Sequence, residues 1–157
     1  MLALTPGALP AGTDVRRYVD AAAGLEAVGR FDDAARAYRS ASLRWPDAPL
    51  PWLGLANVAY ARDDLVTAQS LYEEALARDP ADVAARNNHA EVLLQLGCRS
   101  AAAKEIAVAQ ERARDSGLET AVAETAGRIA AATAPDAAGC PARQQDVSVV
   151  EGGAPRE

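Results

Sequence analysis

The chain has 157 residues, half of them apolar, with 16 Lys and Arg against 22 Asp and Glu for a net charge of −6. That length suits a single domain, and the acidic balance excludes a general nucleic-acid binder, which needs clustered cations. The two cysteines, Cys98 and Cys140, are too few for a disulfide framework and have no metal-ligand spacing, so neither a metal nor another cofactor is expected. Alanine supplies about a quarter of the residues, which favours helix because Ala loses no side-chain entropy there. Abundant Ala and Arg beside a single lysine, Lys104, suggest a GC-rich bacterial genome.

In chain order, residues 1–13 read as a linker or disordered N-terminus, punctuated by Pro6, Gly7 and Pro10 and lacking the basic start of a signal peptide. No apolar run approaches the ~20 residues that span a bilayer, so membrane insertion is not expected. A cytoplasmic location is expected, or a periplasmic or cell-envelope one if the chain is a fragment of a larger exported protein. Asp14 caps a predicted helix over about 15–28, stopped by Gly29, and a second helix runs over about 32–44 until Trp45-Pro46 ends it. Asp47 is the predicted cap of the next pair, about 50–61 and 65–78, closed by Asp79-Pro80. Asp82 then caps about 83–96, Ser100 opens a sixth helix to about 114, and Gly117 breaks it. A seventh helix over about 118–132 carries an apolar stripe of Leu118, Val122, Ile129 and Ala130, with Arg128 largely elsewhere. Residues 135–157 have low hydrophobicity and no sustained pattern, and read as a disordered tail.

A repeat underlies these helices. Ala34, Ala68 and Ala102 recur at a constant spacing of 34 residues, as do Tyr38, Tyr72 and Ile106, and Ala41, Ala75 and Ala109. Pro46 and Pro80 keep the same interval. This period marks a stacked array of helix pairs, each burying its apolar face against its neighbours, with the seventh helix as a cap. The expected fold is all-α, a right-handed superhelical array of about seven helices over 14–134.

Residues 49–82 closely resemble a tetratricopeptide repeat: Trp52, Leu55-Ala56, Ala59 with Tyr60, Ala68, Tyr72, Ala75 and Pro80 match the family pattern. Residues 15–48 follow with Tyr18, Ala21-Ala22, Leu25, Gly29, Ala34, Tyr38, Ala41 and Pro46. Residues 83–116 keep Leu93, Gly97, Ala102, Ile106 and Ala109, but carry Arg86 for the aromatic, His89 for Leu and Arg114 for Pro. The resemblance implies three repeats and a concave face lined by the first helix of each pair, offered to a protein or peptide. On this face it places Arg16, Asp20 and Glu26 from the first unit and Leu50, Leu53, Asn57 and Tyr60 from the second. Asn87, Asn88, Glu91 and Gln95 come from the third. Family members that clamp a chaperone-tail carboxylate use Lys or Arg where this chain has Val19, Ala84 and Asn88, and Asn where it has Ala23 and Gly54; the cations are absent, so a neutral or basic segment is the expected partner.

Catalytic readings are weaker. His89, the only histidine, would pair with Cys98, but nine helical residues separate the backbones by roughly 13 Å. Asp32-Asp33 and Asp63-Asp64 suit helix starts, and Glu73-Glu74 a solvated face. Trp45 and Trp52 read as packing at the inter-repeat joint. No enzyme activity is therefore expected. Two alternatives remain open: the accessory repeat region of a bacterial papain-like cysteine peptidase whose catalytic domain is absent, suggested by LTPGALP before the first helix, and a homo-oligomer.

Overall fold

The computed structural model describes residues 14–140. Among the described residues are seven α-helices and no strand: α1 (Val15–Ala27), α2 (Phe31–Arg44), α3 (Pro49–Ala61), α4 (Leu65–Arg78), α5 (Val83–Gln95), α6 (Arg99–Arg112) and α7 (Glu119–Ala131). The all-α expectation holds, with helix ends within two residues of the predicted ones.

Local chemistry explains most of the boundaries. Asp14 and Asp82 cap α1 and α5 by accepting from the backbone N–H of Arg16 and Ala85, each satisfying an otherwise orphaned donor. Asp64 does the same for α4 through Thr67 N–H. Asp47 is not a cap: α3 starts with Pro49 after Ala48, which has no side-chain capping bond. Pro serves there instead, because its fixed φ suits the first helical turn and its missing N–H would have been unpaired. Within each pair, the tight turn needs one residue with positive φ. Gly29 (φ 75°) and Gly97 (φ 80°) supply it in the outer pairs, and Asp63 (φ 61°) occupies the same place in the middle one.

The 34-residue register is the packing register. Ala34, Ala68, Ala102, Ala41, Ala75 and Ala109 are all buried where the helices cross, and Tyr38, Tyr72 and Ile106 fill the space between them. Small side chains let the backbones approach, and the large ones then restore interior density. Pairing is mostly between neighbours in sequence, with α3 also packed on α1 and α7 on both α6 and α5. The buried stripe of α7 is Val122, Thr125 and Ile129, with Leu118 half-buried. Ala130 is exposed, a correction to the expected stripe: Thr125 takes the inward position.

The tail expectation also changes for its first residues. Residues 135–140 fold back onto the α5–α6 turn, with Ala137 N–H donating to the Gly97 carbonyl and Cys140 disulfide-bonded to Cys98. Composition alone concealed this, because a short covalent and hydrogen-bonded tether needs no hydrophobic pattern. The linker at 1–13 and the remainder of the tail, 141–157, lie outside the described residues.

Candidate binding groove

Polar side chains link α3 to α5 and α5 to the capping helix α7, and α1 packs beside α3. Between α1 and α3 lies a pocket of about 490 Å³. Val19, Phe31, Leu50 and Leu53 form its apolar walls, with Glu26 and Asn57 as its polar groups. Tyr38 forms part of the lining, and its hydroxyl donates to Glu26 Oε2 at 3.1 Å. Burial, reinforced by the neighbouring Glu26 and Asp20 carboxylates, holds that phenol well above its usual pKa of 10.0, so the donor stays protonated. Glu26 has no cation within ion-pairing distance among the described residues.

From α3 to α5 runs an amide cluster. Asn57 Oδ1 accepts from the Tyr72 hydroxyl at 2.7 Å and from Asn88 Nδ2 at 3.3 Å, and Asn87 Nδ2 donates to Asn88 Oδ1 at 3.4 Å. Tyr72 is fully buried, and desolvation raises its pKa, which keeps its proton available for this bond. Further along, Gln95 Nε2 donates to Tyr60 Oη at 2.7 Å and to Glu91 Oε1 at 3.1 Å. Arg128 of α7 closes the row, its Nη1 donating to Glu91 Oε1 at 3.0 Å and its Nη2 lying 2.8 Å from Glu91 Oε2.

No family model matches the sequence, and no curated protein matches it significantly. Solved structures do. The Yersinia enterocolitica type III secretion chaperone SycD, in complex with a peptide of the translocator YopD, superposes with a TM-score of 0.67 at 21% identity, over 74% of this chain and 92% of that one. PcrH, in complex with the chaperone binding region of PopD, gives 0.68 at 17% identity, over 78% and 98%. The TPR2B domain of yeast Sti1, in its pHsp70 complex, gives 0.67 at 14% identity, over 74% and 95%. The chain has the tetratricopeptide-repeat fold.

Within this TPR array the structure separates the sequence-selected residues. Glu26, Leu50, Leu53 and Asn57 meet in the pocket. Tyr60, Asn87, Asn88, Glu91 and Gln95 lie along the hydrogen-bonded row. Arg16 and Asp20 are exposed on α1 and do not line the pocket. Asn57, expected only as a groove residue, is also a cross-link between α3, α4 and α5. Two contributors were missed. Phe31 enters the pocket from the start of α2, and Arg128 comes from the helix read only as a cap. The one sequence signal for Arg128 was a cation set four residues beyond Glu124 on an otherwise acidic and alanine-rich helix, which does not identify Glu91 as its partner.

His89 is 5% exposed, with Glu73 Oε1 and Glu105 Oε1 each 3.8 Å from a ring nitrogen. Desolvation holds its pKa below 6.5, outweighing the two carboxylates, and Arg86 pushes the same way. Cys98 is tied to Cys140 and offers no thiol to it. Trp52 bridges the two units: its Nε1 donates to the Pro46 carbonyl, as does the Nε of Arg78, whose guanidinium sits 4.3 Å above the Trp52 ring. The Trp45 ring instead lies 5.9 Å from Tyr18, within the first unit.

Proposed function

We propose that the chain is a protein–protein interaction adaptor, built from three TPR units, which holds a neutral or basic segment of a partner in the groove of α1, α3 and α5. The observation carrying this reading is the α1–α3 pocket, whose apolar walls suit an anchoring side chain and whose Glu26 carboxylate has no cationic partner among the described residues. A lysine or arginine of the partner would lay its stem on Leu50 and Leu53 and bring its charge to Glu26. An acidic C-terminal tail is disfavoured, because Val19, Ala23, Gly54, Ala84 and Asn88 present no cation to its carboxylate. That exclusion is narrow. A chaperone-like role toward a client segment, like that of SycD with its YopD peptide and PcrH with the chaperone binding region of PopD, is compatible with this groove.

The test uses substitutions that leave the cross-links alone. Ala23 is exposed and lines the pocket, so Ala23→Arg fills it without touching the core. In affinity purification, a partner held by the wild type should be lost by Ala23→Arg at an unchanged thermal midpoint. Glu26→Gln keeps an acceptor for Tyr38 and should weaken the same partner if it is basic. A partner retained by both variants would refute the groove assignment.

A further inference from the structure

Beyond α7 the chain runs back across the α5–α6 turn. Ala137 N–H donates to the Gly97 carbonyl at 3.1 Å, and Asp136 Oδ1 accepts from Ser100 N–H at 2.9 Å. Cys140 is bonded to Cys98 across 42 residues of sequence. These contacts supply what α6 lacks. Its N-cap residue is Cys98, which makes no side-chain capping bond. Asp136 therefore brings from a distant part of the chain the carboxylate that Asp14, Asp64 and Asp82 provide locally for α1, α4 and α5.

The same junction holds α7. Arg99 Nε donates to the Ile129 carbonyl in the last turn of α7 at 3.1 Å. Cys140 packs on the cluster that contains Cys98, Ile106, Val122 and Ile129. On its other side α7 reaches Glu91 through Arg128. The tether thus sits at one end of a chain of contacts whose other end is the groove.

We propose that the Cys98–Cys140 disulfide is a redox latch on the C-terminal end of the array: closed, it keeps residues 135–140 on the α5–α6 turn and α7 on α5, and opened by a dithiol reductant it releases both. Cys140 is half-buried and Cys98 is 6% exposed, so the reductant's thiolate attacks the Cys140 sulfur first. The S–S bond breaks, and the Cys98 sulfur leaves with the electron pair and takes up a proton. The reductant's second thiol then displaces Cys140 as a thiol. Two electrons and two protons have passed to the protein, and the reductant has become a disulfide. Without the covalent closure the tail contacts form one short, exposed loop, and the α6 cap opens with them. The consequence for Glu91 as a groove residue rests on the adaptor reading; the latch itself does not.

Hydrogen exchange read by mass spectrometry on the full chain tests this without any partner. The protein is compared after oxidised glutathione, after dithiothreitol, and as Cys140→Ser. Reduction should lower amide protection at the start of α6 and through α7 roughly ten-fold or more, while α1–α4 keep theirs. Cys140→Ser should match the reduced protein and ignore dithiothreitol. Three results would overturn the latch. Both cysteines could stay open to alkylation after oxidised glutathione, protection could be the same in both states, or the whole array could lose protection on reduction, which would make the bond a global staple.

Discussion

Gly54 is the position where the array has least room. It lies in α3 above the ring of Tyr38 in α2, and a Cβ built there would sit 2.3 Å from Tyr38 Cε1 and 2.5 Å from Cδ1 and Cζ. To reach ordinary contact the ring would have to retreat by about 1 Å, but Tyr38 is 2% exposed and its hydroxyl is engaged by Glu26. Overpacking of this severity costs about 3 kcal/mol, the upper end for an inserted carbon. Displacing the Tyr38–Glu26 bond adds about 1 kcal/mol, and the better helix propensity of Ala returns about 1 kcal/mol. Gly54→Ala should therefore destabilise the protein by about 3 kcal/mol in a urea titration followed by circular dichroism. Gly24 in α1 and Gly127 in α7 have nothing within 4 Å of an added Cβ. Gly24→Ala and Gly127→Ala should instead stabilise by about 0.5–1 kcal/mol, since only propensity acts there. The decisive comparison is Gly54→Ala in a Tyr38→Ala background, where the penalty should vanish and the sign reverse. If Gly54→Ala alone were as stable as wild type, or if its penalty survived loss of the Tyr38 ring, the close approach of α3 to Tyr38 would be wrong.

Three further outcomes are expected. Ala68→Leu should overpack the fully buried crossing of α3 and α4 by about 1–3 kcal/mol; an unchanged thermal midpoint would count against the register. Asp63→Gly should raise the midpoint, because Asp63 holds a left-handed backbone conformation (φ 61°) that Gly adopts with about 1 kcal/mol less strain; a drop on substitution would show that the Asp side chain contributes more than the strain removes. His89 is buried with its pKa held below 6.5, so the unfolded chain binds its proton more readily than the folded one. The His89 contribution is then fully present above pH 6.5 and is lost as pH falls from there through the lower folded value. His89→Leu should flatten the pH dependence of the thermal midpoint below pH 6.5, and parallel profiles for the two proteins would refute the assignment.

Much of this protein was legible one helix pair at a time. The 34-residue recurrence of Ala34, Ala68 and Ala102, and of Tyr38, Tyr72 and Ile106, set which faces are buried, and Gly29, Gly97, Pro46 and Pro80 marked the turns. These features act over one or two helix lengths, where helical period, capping and side-chain volume decide the outcome with little help from the rest of the chain. Asp63 in the turn position of a glycine, and Pro49 in place of an Asp47 cap, show that several residues can meet the same local demand. That leaves the boundary predictable and the residue responsible for it less so.

The candidate site was legible only as a set of positions. Its wiring spans longer separations: Asn57 to Asn88 across 31 residues, Glu91 to Arg128 across 37, Cys98 to Cys140 across 42. Which of these side chains meet depends on the angle at which one pair stacks on the next and on where α7 comes to rest. Those angles arise from many small packing contacts together, and no single motif encodes them. Sequence by itself determined the helices, their pairing and the alanine seams, because those follow from periodicity and volume. Tertiary structure alone decided that Glu26 faces an apolar pocket, that the amides cross-link the helices, and that the tail returns to cap α6, because each requires two distant segments to arrive at the same place.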